Sequence, residues 1–600
     1  MFRLILALLF TVNIYAQENT FYYQLDLSKK NDTYNVTLLV PQLTEEDNIY
    51  SFVSYAPGVH QPLDFGRFVK LFRVYDKEGN ELITNKISIN DFKILEPIKV
   101  SKIVYEIDDS FDMSTDYHPI YPMSGTGITD NYIIINTHGV FGYFKNLKNS
   151  PIELKLRLDG NPKIGTALEK NTEGAFLIDS YYHFTDSPIL IGEELTYASS
   201  MVDEIKVEAF VYSPNDKISA EIVLELAGPI LNAAKEFIGY SPVDRYVFLM
   251  YFNSHKDVKD MPVLKFGGAL EHSYSSTYAL QADPRFLSML KNIIAHEFMH
   301  ILSPLNLHSE VLANTDYSKP VSEDNHVWLY EGVTEWVSYA MQVSAGIVTL
   351  EDYLNYLSDK IVESEKFNKE YSLTRISREW STDEGNKQYG NIYQLGALTA
   401  AMLDIKLLQL SNGEKGLREV YLEMIKTYGK NKPFDNATFF DILVAATYPE
   451  IQNFIDDHIK NNIPFEFEKE MSTVGVSYYE RRKSSENLAT MGISIAGNSD
   501  GKGFIKSLLT EYKGSLLEIG DVIESVNGID LVDSSSYMTI MDSIKKMSVG
   551  EEYEIVILRA NEEKKIKETL YAKFDQHVFE IDPNASKEEV ILRTMWMTNN

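Results

Sequence analysis

The sequence predicts a multidomain α+β protein with a β-sandwich-like amino-terminal region, a mostly helical central region and a compact module towards the carboxy terminus. Three observations carry this. Six hundred residues exceed what one core can enclose. Apolar residues alternate with period two early in the chain, whereas helical spacing dominates the middle. A charged run, Glu480-Arg481-Arg482-Lys483, reads as a linker and sets off the last module.

The first sixteen residues have the layout of an export signal. Arg3 supplies the positive start, residues 4–12 an apolar core, and Ile14-Tyr15-Ala16 a cleavage site before Gln17. This predicts a secreted or periplasmic protein. The apolar core is too short for a comfortable span, and no later stretch approaches eighteen apolar residues, so no membrane span is expected in the mature chain. A net charge of -31, from 56 basic and 87 acidic residues, argues against nucleic acid as a partner. The chain has no cysteine, which excludes disulfides and any thiolate metal ligand.

Residues 17–195 read as strands. Tyr34, Val36, Leu38 and Val40 alternate with Thr33, Asn35 and Thr37, and turn signals such as Pro57-Gly58, Glu78-Gly79-Asn80 and Asp159-Gly160 punctuate the apolar runs. From 196 to 475 the pattern changes. Strands are expected at 205–212 and 246–252, and helices at 220–238, 286–302, 327–343, 392–410 and 414–428. Asp283-Pro284 starts the second of these helices and Ser303-Pro304 ends it. Residues 485–575 form the last module, with Asn527-Gly528 as a hairpin signal. Residues 576–600 are an unassigned tail.

The helix expected at 286–302 carries His296-Glu297-Phe298-Met299-His300. Residues four apart share one helix face, so both imidazoles can reach a single cation while the glutamate stands beside it as a base. Catalytic zinc uses three protein ligands plus water. The best third ligand is Glu331, in the apolar stretch Trp328-Leu329-Tyr330-Glu331-Gly332-Val333-Thr334-Glu335-Trp336, where an unpaired carboxylate would be costly. Glu335, one turn on, is the alternate ligand or a partner for a metal-bound imidazole. Upstream, Gly267-Gly268-Ala269-Leu270-Glu271-His272 suits an edge strand that a peptide backbone can approach, with Glu271 free to pair with an amino terminus. A strand-bearing lobe leading into helices fits a two-lobed zinc-peptidase architecture.

At these residues the chain resembles the glycyl-aminopeptidase family of gluzincin metallopeptidases. Tyr55-Ala56-Pro57-Gly58-Val59-His60 and Asp64-Phe65-Gly66-Arg67-Phe68-Val69 resemble that family's amino-terminal β-domain, and Asp186-Ser187-Pro188 resembles its entry to the catalytic domain. Gly268-Ala269-Leu270-Glu271-His272 resembles the family's Gly-Gly-Leu-Glu-His and the Gly-Ala-Met-Glu-Asn exopeptidase motif of the larger aminopeptidase clan. The resemblance implies a thermolysin-like, mostly helical catalytic domain. It implies one zinc ion on His296, His300 and Glu331, Glu297 as general base to a zinc-bound water, and Glu271 as amine anchor beside Gly268 and Ala269. Ile392-Tyr393-Gln394-Leu395-Gly396-Ala397 resembles a Tyr-x-Lys-Gly-Ala segment whose tyrosine holds the oxyanion. Leu395 replaces the lysine; Tyr393 is the assigned residue and Tyr389 its alternate. Residues 301–308 depart from the family's tryptophan-rich and basic sequence. The last module resembles a PDZ domain, with residues 491–495 as the loop for a peptide carboxy terminus. The expected function is a secreted zinc aminopeptidase acting on peptides. A zinc endopeptidase, or an inactive peptide-binding scaffold using the PDZ-like module, are the alternatives.

Overall fold

The computed structural model describes residues 19–28, 32–116, 118–319, 324–484, 488–497 and 502–598; the export signal expected at 1–16 lies outside them. One compact unit comprises the residues through Leu350, Phe367–Phe465 and the end from Leu592. A second comprises Glu351–Lys366 and Glu466–Ile591. The change of pattern near residue 195 therefore separates two regimes of secondary structure inside one compact unit.

The amino-terminal part of the first unit is β-rich, with an eight-stranded sheet and two four-stranded sheets. Phe21–Asp26, Tyr34–Leu39 and Lys102–Ile107 lie side by side in the large sheet. Register places Leu25 against Val36 and Val36 against Tyr105, so alternate residues face one interior. Tyr34, Val36, Leu38, Ile103 and Tyr105 are all buried there, and Tyr50, Phe52 and Phe144 join the same core.

The central part opens with a five-stranded sheet. Its strands are β1 (Thr196–Val202), β2 (Ile205–Tyr212), β3 (Arg245–Asn253), β4 (Gly268–Glu271) and β5 (Ser275–Gln281), in the order β1-β2-β3-β5-β4. β2, β3 and β5 run parallel, and β4 pairs antiparallel at the edge. Helix α1 (Ala220–Ile238) crosses from β2 to β3. The Ser219 hydroxyl caps it by accepting from the Ile222 N–H, and Gly239 ends it at φ 86°.

Three further helices build the site. A 3₁₀ turn, Pro284–Phe286, starts from the Asp283 cap and leads into α2 (Leu287–Met299). A π-helical turn, Trp328–Val333, runs into α3 (Thr334–Ser344), and α4 spans Asn391–Leu410. Among the described residues no helix is long and apolar enough to cross a membrane.

The second unit holds β6 (Ile493–Gly497), β7 (Gly503–Leu508), β8 (Val522–Val526), β9 (Ile529–Asp530), α5 (Ser534–Lys545), β10 (Glu552–Arg559) and β11 (Glu562–Thr569). The sheet order is β6-β7-β8-β10-β11, with β9 paired to β8. Here the structure corrects the linker expectation. Val476–Lys483 is a strand paired antiparallel to Phe574–Ile581, so the charged run and the start of the unassigned tail form one two-stranded ribbon. Its charges are compatible with a strand because they are partnered: Arg482 pairs with Glu580, and the Arg481 guanidinium lies 4.0 Å from the Phe574 ring centre. The tail ends in a helix, Lys587–Thr598.

Candidate metal centre and its surroundings

Helix α2 carries His296 and Glu297 in its last turn, and His300 caps its carboxy-terminal end. The four-residue spacing brings the two imidazole centres to 4.8 Å. Glu331 enters from the π-helical turn, a backbone form that widens the helix by one residue and recurs at functional sites. Glu331 Oε2 lies 3.4 Å from His296 Nε2 and 3.5 Å from His300 Nε2.

These spacings fit a metal. Bonds of about 2.0–2.1 Å in a tetrahedron place neighbouring ligand atoms about 3.4 Å apart. The remaining imidazole nitrogens are engaged elsewhere. His296 Nδ1 is 2.8 Å from Glu335 Oε2, and His300 Nδ1 is 3.0 Å from the Ser303 carbonyl oxygen. Donation of both Nδ1 protons to these acceptors leaves both Nε2 lone pairs facing Glu331. Glu335 thus stands against the Nδ1 side of the first imidazole, opposite the Nε2 that faces Glu331. Two imidazoles and a carboxylate, all buried, are a donor set suited to zinc.

Glu297 is buried, and its Oε2 has no hydrogen-bond partner among the described residues. Burial pushes its carboxyl well above the usual range; His296 opposes this, while Glu271, Glu331 and Glu335 add to it. Burial also acts to raise Glu331, but His300, His296 and His60 outweigh it and hold Glu331 well below the usual range. Glu271 ends the edge strand β4, and its carboxylate lies within 4.8 Å of the ligand atoms of Glu297 and His300. A cavity of about 200 Å³ adjoins Glu271, with Leu270, His272, Leu305 and Asp186 in its wall.

Gly268 and Ala269 lie on β4 opposite Ala279 and Tyr278 of β5. A Cβ at Gly268 would stand 2.6 Å from Met123 Cε, the end of a flexible side chain that would have to swing aside. Tyr393, in the first turn of α4, has its ring centre 5.7 Å from that of His296. Its hydroxyl lies 3.1 Å from that of Tyr389, which places the assigned residue and its alternate in one pair. Burial raises both phenols well above their usual value.

Sequence reasoning missed His60. Residues 55–60 carry part of the family resemblance, but nothing in their pattern gives the histidine a role. Its Nε2 is 3.0 Å from Glu331 Oε1, across 271 positions of sequence, and no local spacing encodes such a contact. Gly58 in the same loop, at φ 78°, is as close: a Cβ there would stand 2.5 Å from Glu271 Oε1. The loop is held by the Tyr317 carbonyl, which accepts from the N–H groups of Ser54 and Tyr55.

Two parts of the chain are similar to known protein domains. The Peptidase M61 N-terminal domain matches residues 22–193, the span that contains His60. M61 glycyl aminopeptidase matches residues 289–399, which contain His296, Glu297, His300, Glu331 and Tyr393. No curated protein matches the chain. Among solved structures, an aminopeptidase N family protein from Idiomarina loihiensis aligns with a TM-score of 0.73 at 18% identity, covering 96% of this chain and 100% of that one. Yeast LTA4 hydrolase in complex with bestatin aligns with a TM-score of 0.43 at 13% identity, covering 75% of this chain and 67% of that one. The first likeness is one of fold. Two separate parts of the chain are thus similar to domains of peptidase M61, and the fold is shared with an aminopeptidase N family protein.

Proposed function

We propose that the protein is a zinc-dependent aminopeptidase that hydrolyses the first bond of peptides. One observation carries the reading: three convergent donors, a buried carboxylate with an unpartnered oxygen and an edge-strand carboxylate meet within one site. Zinc held by His296, His300 and Glu331 would supply Lewis-acid chemistry, polarising a carbonyl and acidifying water. Glu297 is the general base; its free Oε2 takes a proton from the attacking water and returns it to the leaving amine nitrogen. Glu271 fixes the substrate's ammonium group, so the first peptide bond is the one presented. The β4 edge at Gly268 and Ala269 receives the extended peptide by backbone pairing. Tyr393, with Tyr389 against its hydroxyl, donates to the oxygen on which charge develops.

The test is Glu297→Gln in the full-length protein, which should retain one zinc per chain and lose hydrolysis. Retained turnover would overturn the role of Glu297. Equal cleavage of free and amino-blocked peptides would replace the aminopeptidase with an endopeptidase.

Two further parts belong to this reading. Residues 1–16 are an export leader, checked by intact mass of the exported protein, which should begin at Gln17; a protein retaining Met1 would refute it. The module at 485–575 is PDZ-like, with the edge strand β6 as the acceptor of a peptide carboxy terminus. The placement of α5 between β9 and β10 supports this. Labelled peptides with a free carboxylate should bind more tightly than their amides, and equal binding would refute it.

A further inference from the structure

The metal donors come from the region after residue 289, yet the oxygen of Glu331 that faces away from them is occupied by a residue of the amino-terminal β-rich region. His60 Nε2 lies 3.0 Å from Glu331 Oε1, while Oε2 alone faces the two imidazoles. The His60 side chain is 10% exposed, so little solvent competes for this contact. Two rings fix the imidazole. Tyr389 lies against it at 5.0 Å with 33° between planes, and Trp380 meets it edge-on at 5.6 Å and 87°. Its other nitrogen, Nδ1, is buried and has no partner among the described residues. A histidine placed for packing alone would gain nothing from this burial, because one polar atom goes unsatisfied. The arrangement makes sense if the Nε2 contact is what the position serves.

From this geometry we infer that His60 is a positioning residue of the metal centre. Its Nε2–H donates to Glu331 Oε1 and so reserves Oε2 for the metal, holding Glu331 as a one-oxygen ligand. Hydrogen bonds to a ligating carboxylate orient it and tune the site, and their loss costs metal affinity. His60 does the same work for Glu331 that Glu335 does for His296, but from the β-rich part of the unit. It also lies against Tyr389, whose hydroxyl meets that of Tyr393, so one imidazole braces both the third donor and the tyrosine pair. The inference rests on the metal-site part of the proposed function and does not need the substrate assignment.

The experiment measures zinc dissociation constants by chelator competition, without substrate, on the full-length protein and two variants. His60→Phe keeps a ring against Tyr389 and Trp380 but has no donor. His60→Gln places an amide N–H near the original Nε2. His60→Phe should bind zinc about 10–100-fold more weakly, with the thermal midpoint of the metal-free protein unchanged, and His60→Gln should recover most of the loss. Cobalt-substituted protein gives a second readout: the visible absorption of His60→Phe should shift as Glu331 is freed to offer both oxygens. A zinc affinity of His60→Phe within twofold of the unaltered protein would overturn the inference, as would a His60→Gln no better than His60→Phe. Absence of stoichiometric zinc from the unaltered protein would overturn the metal site itself. Normal zinc binding with no peptide cleavage would overturn only the proposed function.

Discussion

Gly332, next to Glu331, touches Gly396 of α4. An added Cβ at Gly332 would stand 2.7 Å from Gly396 Cα and 2.9 Å from the Ile392 carbonyl oxygen, where ordinary contact begins at 3.4 Å. Gly332→Ala therefore forces the π-helical turn and α4 apart by about 0.7 Å. Two stability effects oppose each other. Alanine gains about 1 kcal/mol over glycine in a helix, and overpacking a close contact costs about 1–3 kcal/mol. The net loss should be at most about 2 kcal/mol. Activity should suffer more, because the displaced turn carries Glu331 and the displaced helix carries Tyr393. A misplacement near 1 Å costs roughly 100-fold. The assay is kcat/KM on a peptide with a free amino terminus, read beside zinc content and thermal midpoint. Gly396→Ala, whose Cβ would stand 2.8 Å from Gly332 Cα, should reproduce the effect, and the double variant should cost less than the two singles together. Activity of Gly332→Ala within threefold of the unaltered protein would show that the spacing of these elements does not govern the chemistry.

Other residues give independent checks. Asp404, buried on α4, accepts from the Leu417 N–H, and burial pushes its carboxyl up to about 7 from 3.8. Because the folded pKa lies above the unfolded one, the stabilising contribution is complete below about pH 4 and lost as pH rises through about 7, an effect of roughly 4 kcal/mol. Asp404→Asn cannot ionise, so calorimetry should find it gaining on the unaltered protein between pH 4 and pH 8; a constant difference would refute the assignment. Glu331→Gln should abolish stoichiometric zinc, whereas Glu335→Gln should retain it with about 10–100-fold weaker affinity, and metal analysis showing the reverse would exchange their roles. Tyr393→Phe should lower kcat about 100–1000-fold with KM nearly unchanged, and Tyr389→Phe should lower it less than tenfold; equal losses would make the pair one functional unit.

Periodicity read the scaffold well where one face of an element meets a core. Val36 and Leu38 alternate into the large sheet as their spacing demands, and the run at 220–238 is α1 with the same ends. The metal motif was legible because its two imidazoles are four residues apart on one helix, and Glu331 stood out as an acid in an apolar stretch. The π-helical form of that stretch was not legible, since no spacing within it marks a widened turn and the Gly332–Gly396 approach exists only once α4 has packed. Residues 476–483 misled for another reason. Their charges suggest a solvated linker, but on a two-stranded ribbon both faces can stay half exposed, so polarity does not exclude a strand. His60 and Gly58 were beyond reach because their partners are fixed only when distant segments fold together.

The loop at 55–60 has a consequence for any attempt to transplant this chemistry. Gly58 leaves no room for a side chain against Glu271, and His60 grips Glu331 from the same six residues. A truncated chain beginning at the central sheet would keep His296, His300 and Glu331, yet would lose the cover of Gly58 over Glu271 and the contact of His60 with Glu331. Minimal versions of such enzymes should be cut so that this finger of the β-rich region travels with the helices it touches.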